Sequence, residues 1–137
     1  MMFAVYAVTN AFLRQHKNIE IVQPLAAKQL VDIGGWKFLS EHGDTTKAWM
    51  GIPFYGIERA RAREAVRRMR TDLGFDYISI GHWHVPGIVS GNILINGSLS
   101  GTSEYDHIAG RHALPAQVSF LVHKKYGLFN WVAWTMK

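Results

Sequence analysis

Between Ile57 and Leu73 the apolar residues Ala62, Val66, Met69 and Leu73 recur at i, i+4, i+7 and i+11, while Arg59, Arg63, Arg67 and Arg70 take another face. This spacing predicts a helix, with Gly74 as its C′ residue. Short apolar runs flank it, Trp36 to Leu39 before and Tyr77 to Ile80 after, and both read as buried strands. A helix standing between two such runs is what a strand–helix–strand crossover requires.

The rest of the chain fits around that unit. Phe3 to Arg14 carries Phe3, Tyr6, Ala7, Phe12 and Leu13 at roughly helical spacing, and polar residues up to Asn18 close it. Ile19 to Val22 is a β-branched run stopped by Pro24, and Gly34-Gly35 is a break. Ile93 to Ile95, Val118 to Val122 and Leu128 to Trp134 are short strand signals, the last two joined by a turn at Lys124 to Gly127. From Gly97 to Pro115 the composition turns to Gly, Ser, Thr, His and Asp, a long loop of the kind that carries function. The order α, β, β, α and then mostly β predicts an α/β fold with a mixed sheet, covered by helices on at least one face. At 137 residues and 48% hydrophobic composition, one soluble domain spanning residues 1–137 is expected. The apolar opening has no basic leader and falls far short of the about 20 residues a bilayer needs, so a cytoplasmic protein without a membrane segment is expected.

Two strand ends carry the chemistry. Gly81-His82-Trp83-His84 follows Tyr77 to Ile80, and Glu41-His42-Gly43-Asp44 follows Trp36 to Leu39. Alternate residues on a strand point to opposite faces, but just past a strand end the chain can curl and bring both imidazoles to one point, a curl that Gly81 permits. Strand ends are also where α/β sheets collect ligands. The chain has no cysteine, so any metal must be held by His, Asp, Glu, Asn or backbone oxygen. Taken alone, each motif is equally two unrelated histidines or a turn.

Together, in this order and strand context, the motifs resemble the calcineurin-like metallophosphoesterases. Gly81-His82-Trp83-His84 resembles the closing Gly-His-x-His motif of that superfamily, phage and bacterial members included, Glu41-His42-Gly43-Asp44 its penultimate His-Gly-His/Asp block, and Asn96-Gly97-Ser98-Leu99 its Asn-x-Gly-Ser segment. The resemblance spans Ile19 to Trp134 and implies an αββα sandwich. It also implies two divalent metals, Mn, Fe, Zn or Ni, that clamp a phosphate ester. Under it His42 and His82 are ligands of one metal and His84 of the other. Asp44 then orients an imidazole or simply makes the turn, and the Asn96 to Ser98 turn borders the phosphate or is an ordinary turn.

Ahead of His42 the sequence departs from the superfamily's motifs. The superfamily opens with Asp-x-His, Gly-Asp and Gly-Asn-His, and the residues ahead of His42 hold one Asp, Asp32, with Asn10, Asn18 and His16 in no matching context. The expectation is therefore the C-terminal half of such a domain, a sandwich incomplete at its N-terminal side. Three imidazoles neither neutralise nor bridge two divalent cations, so weak or partial metal binding is expected of this chain, with the other half supplied in trans or by a homo-oligomer. An incomplete sandwich also exposes apolar surface.

Two function classes follow. One is a metal-dependent phosphoesterase, a phosphodiesterase or nuclease-like hydrolase, to which the net charge of +5 would draw anionic substrates. The other is a noncatalytic remnant or a basic nucleic-acid-binding module using Arg59, Arg61, Arg63, Arg67, Arg68 and Arg70, six arginines that more often form a solvated face. In the long loop, His107, His112 and Arg111 are candidates to meet substrate and Tyr105 to stack on a base. His16 and His123 read as structural or solvated.

Overall fold

The structure, a computed structural model, describes residues 2–22, 26–47, 53–102, 104–108, 112 and 114–136. After helix α1 (Met2–Leu13), strands β1 (Lys28–Ile33) and β2 (Trp36–Glu41) form a hairpin. Its two-residue turn is Gly34-Gly35, with φ of 64° and 92°, the pair of positive values that a type I′ turn demands. The Gly-Gly break is thus a hairpin, and β1 is a strand the sequence reading did not contain. The expected strand at Ile19 to Val22 does not form: Ile19 N donates to His16 O, closing a turn after α1, and Glu20 interrupts the apolar run.

Helix α2 (Pro53–Arg68) crosses from β2 to β3 (Tyr77–Ile80), and β2 and β3 are parallel neighbours as expected. β4 (Gly87–Val89), a short strand behind Pro86, pairs antiparallel with β5 (Ile93–Ile95), which runs parallel to β3. The resulting five-stranded mixed sheet has the order β1-β2-β3-β5-β4. After α3 (Glu104–Ile108), which lies in the long loop, β6 (Ala116–His123) and β7 (Gly127–Thr135) make a separate hairpin.

The two faces of the central strands bury different partners. Leu39, Ile78, Ile80, Ile93 and Ile95 form one apolar layer with Ile57 of α2. On the other face Phe38 stacks on Tyr77 at 4.7 Å and on Phe120 of β6 at 5.5 Å. Tyr77 Oη accepts a hydrogen bond from Leu128 N, so the hairpin is tied to the sheet. The layers are helix, five-stranded sheet and two-stranded sheet. Strands buried on both faces read as unbroken apolar runs, which is why β3 and β5 stand where the sequence puts them.

The register of α2 corrects the sequence reading. Its buried side is Ile57 and Glu64, with Arg61 and Arg68 half-buried one turn on from each, whereas Val66 and Met69 are 66% and 82% exposed and Ala62 and Leu73 also face solvent. A carboxylate ringed by basic groups has replaced an apolar stripe as the inward face. The helix ends at Arg68, five residues earlier than expected, so Gly74 is not its C′ residue; Arg68 Nη1 instead donates to Leu73 O beyond the helix end. The β6–β7 hairpin leaves Leu121, Phe129, Trp131, Val132 and Trp134 exposed. Among the described residues no helix is long and apolar enough to cross a membrane.

Candidate metal centre

The parallel register sets Glu41 opposite Ile80, and the ladder continues one step past both strands, where Gly81 N donates to His42 O at 3.0 Å. The two histidine motifs therefore start side by side at the carboxyl edge of the sheet. The chain then turns sharply: Trp83 N donates to Gly81 O at 2.7 Å across His82, whose φ is 66°, the positive-φ form of a three-residue turn. His84 also has positive φ, 57°. Gly81 does not adopt positive φ, so the curl is carried by the histidines themselves. Such backbone costs on the order of 1 kcal/mol per residue and persists where the surroundings dictate it, as at functional sites.

The turn brings the His42 and His82 rings together, centroids 5.3 Å apart and planes at 77°. Both side chains are solvent-accessible, and His84 is half-buried. Gly43, with φ of 100°, lets the β2 end approach: a Cβ there would lie 3.3 Å from Gly81 O and 3.5 Å from His82 Cβ. Asp44 is exposed in the turn closed by Thr46 N donating to Gly43 O.

Asn96 borders the same strand end, since its N–H donates to Ile80 O at 2.8 Å. Its carboxamide points to the other sheet, donating to Gln117 Oε1 and accepting from Val118 N. Ser98 Oγ lies 2.8 Å from Ser100 Oγ, within the following turn. His107 and His112 are exposed, with ring centroids 6.0 Å apart, and Arg111 lies outside the described residues, as does the side chain of Tyr105. His123 stacks on Tyr126 at 4.8 Å, and its Nδ1 accepts from Lys125 N. His16 is exposed beyond α1.

Two features were not read from the sequence. Trp83 packs against the isoleucine layer, and its Nε1 is buried with no hydrogen-bond partner among the described residues. Beside His42, Glu41 belongs to a buried charge network. Lys28 Nζ lies 2.7 Å from Glu41 Oε2 and 3.1 Å from Glu64 Oε2, and Arg68 Nε lies 2.7 Å from Glu64 Oε1. Burial works against the charge of Glu64, but hydrogen bonds from Arg68 and Lys28 outweigh it and hold the carboxyl below its ordinary range. Lys28 is likewise opposed by burial and shifted upward by Glu41 and Glu64. The signal for this network was Glu64 itself, an acid placed seven residues after Ile57, and so on its side of an arginine-rich helix.

The donor set fits a metal in part. Two neutral imidazoles supply two ligands to one divalent transition metal. Among the described residues no three His, Asp or Glu side chains converge, and no carboxylate stands between the imidazoles to bridge a second ion.

No family model matches the chain, and no curated protein matches it. Solved structures do. Vps29 from Entamoeba histolytica, solved with Zn2+, superposes with a TM-score of 0.50 at 19% identity, covering 92% of this chain and 75% of that one. Vps29 from Cryptosporidium parvum gives 0.52 at 18% identity, covering 96% and 77%. The chain has a Vps29-like fold. The α/β class and mixed sheet expected from the sequence are those of the Vps29-like fold, and at this identity the likeness extends to the fold alone.

Proposed function

We propose that this chain supplies the histidine-rich side of a divalent-metal phosphoesterase centre. His42 and His82 hold one transition metal, His84 serves a neighbouring one, Asp44 orients an imidazole, and the Asn96 to Ser98 turn borders the phosphate. The observation that carries the reading is the meeting of the His42 and His82 rings at two parallel strand ends, 5.3 Å apart by centroid though far apart in sequence. A bound metal there would polarise a phosphoryl oxygen and lower the pKa of its water. The carboxylate ligands that balance its charge come from another polypeptide, an N-terminal half in trans or a second copy of this chain, and the substrate is a phosphate ester, a nucleic acid included, drawn by the basic excess.

Calorimetric titration with Zn2+ and Mn2+ tests the reading. His42→Ala and His82→Ala should each remove metal binding by the chain. When the chain is joined to a segment bearing Asp-x-His, Gly-Asp and Gly-Asn-His, Mn2+-dependent hydrolysis of bis(p-nitrophenyl) phosphate should appear and fall away in His84→Ala. Metal binding indifferent to both histidines, or no hydrolysis by the joined protein, overturns it.

A second reading, a noncatalytic binding module, is favoured by the absence of a three-ligand group among the described residues and by the exposed arginines of α2. The name of the Cryptosporidium neighbour, vacuolar protein sorting, points the same way. A nucleic-acid module would bind a labelled oligonucleotide with affinity falling steeply in salt, and Arg59→Ala with Arg63→Ala would lower that slope by about 2.

A further inference from the structure

We infer that Trp83 is the positioning residue of the histidine pair: its indole, wedged into the isoleucine layer, fixes the strained turn that aims His82 at His42. The inference rests on the metal-site reading of His42 and His82 and extends it to a residue that touches no ligand. Three observations meet in it. Trp83 packs against the core layer of Leu39, Ile57, Ile78, Ile80, Ile93 and Ile95, so its backbone is anchored from below. The residues on either side of it both hold positive φ, 66° at His82 and 57° at His84. Its ring also stands edge to face against His82, with centroids 5.3 Å apart and planes at 85°.

Positive-φ backbone at two non-glycine residues relaxes unless something over-determines it. His82 is closed into its turn by the 2.7 Å bond from Trp83 N to Gly81 O, and the donor of that bond is held by the indole. The indole side chain thus acts twice, as a core plug that pins the N–H and as a flat wall that limits rotation of the His82 ring. His42 needs no such device, because Gly81 N already holds its carbonyl to the neighbouring strand end.

The Trp83 Nε1, buried and without a hydrogen-bond partner among the described residues, separates shape from polarity. An unsatisfied buried donor adds nothing to the fold and usually costs free energy, so the indole is present for its size and flatness. Phenylalanine should therefore replace it, whereas leucine, which fills apolar volume without a flat ring, should not.

The test uses the full chain labelled at histidine, with two readouts. The first is metal-free: the nuclear Overhauser contact between the His42 and His82 rings, expected in the wild type and Trp83→Phe and lost in Trp83→Leu. The second is Zn2+ affinity by calorimetry, expected within about threefold of wild type for Trp83→Phe and at least tenfold weaker for Trp83→Leu. Circular dichroism and the isoleucine methyl spectrum show whether each variant is folded, and if leucine does not fold, Trp83→Met, longer and more adaptable, takes its place. A folded leucine or methionine variant that keeps both the ring contact and the affinity overturns the inference, as does a phenylalanine variant that loses the contact. If the ring contact follows Trp83 as expected while no form of the protein binds Zn2+, the positioning role stands and the metal reading fails.

Discussion

Lys28 Nζ lies 3.1 Å from Glu64 Oε2, joining the edge strand β1 to the crossover helix α2. The Glu64 side chain is only 6% accessible, and Arg68 holds its other oxygen at 2.7 Å. The Glu64 carboxyl is held below its ordinary value of 4.5 in the folded chain, so its contribution to stability is present above that value and disappears as the pH falls through the folded value. Lys28 is shifted upward from 10.5, so its contribution is complete below that pH and is lost as the pH rises past the folded value. Urea unfolding at stepped pH should show stability falling below about 4.5 in the wild type and a flatter profile in Glu64→Gln. At pH 7 that substitution should cost roughly 2 kcal/mol, less than the about 3–5 kcal/mol of a fully buried pair, because Lys28 and Arg67 keep access to water.

The arginines of α2 divide by face. Arg68 is half-buried and bonded to Glu64 and to the carbonyl of Leu73, while Arg59, Arg63 and Arg70 are exposed and have no ion-pair partner among the described residues. Thermal and urea unfolding should therefore find Arg59→Ala, Arg63→Ala and Arg70→Ala within about 0.5 kcal/mol of wild type. Arg68→Ala should cost about 2 kcal/mol, since it removes a charged hydrogen bond and leaves Glu64 buried with less compensation.

That same face shows where sequence reasoning reached and where it stopped. The existence of α2, its place between β2 and β3, and strands β3 and β5 were legible because local periodicity and short β-branched runs fix them. The inward side of α2 was not, because Ala62, Val66, Met69 and Leu73 are spaced as a core stripe while the fold presents Ile57 and Glu64 to the sheet. A buried ion pair depends on partners from Lys28 and Glu41, thirty-six and twenty-three residues away, and no periodicity reports such partners. At the site, the nearness of His42 and His82 followed from the crossover. The part of Trp83 did not, since a tryptophan between two histidines looks the same whether its ring is in solvent or in the core.

Gly43 lies where the two motif-bearing strand ends approach each other. Its φ of 100° is costly for any residue with a Cβ, and that Cβ would meet the carbonyl of Gly81 at 3.3 Å and His82 Cβ at 3.5 Å. Gly43→Ala should lower unfolding stability by about 1–2 kcal/mol, measured by urea titration. It should also push the His82 turn away from His42, seen as a weakened contact between the two rings. An alanine variant of wild-type stability with the ring contact intact would mean that the close approach is not what assembles the pair.

Asn96 links the two sheets through its carboxamide and the strand end through its backbone. Its Nδ2 donates to Gln117 Oε1 at 3.0 Å, its Oδ1 accepts from Val118 N at 2.8 Å, and its own N–H reaches Ile80 O. An alanine here keeps the backbone bond but leaves the Val118 N–H without its acceptor in a partly buried position, at a cost of about 1–3 kcal/mol. The damage should be local. Hydrogen exchange of Asn96→Ala should speed up at Val118 and its neighbours in β6, while Ile78 and Ile80 in the central sheet keep their protection, because Ile57 and the isoleucine layer still cover them. Equal acceleration in β3 and β6 would instead show that the hairpin and the five-stranded sheet open as one unit, with the Phe38–Phe120 stack rather than the carboxamide as the dominant tie between them.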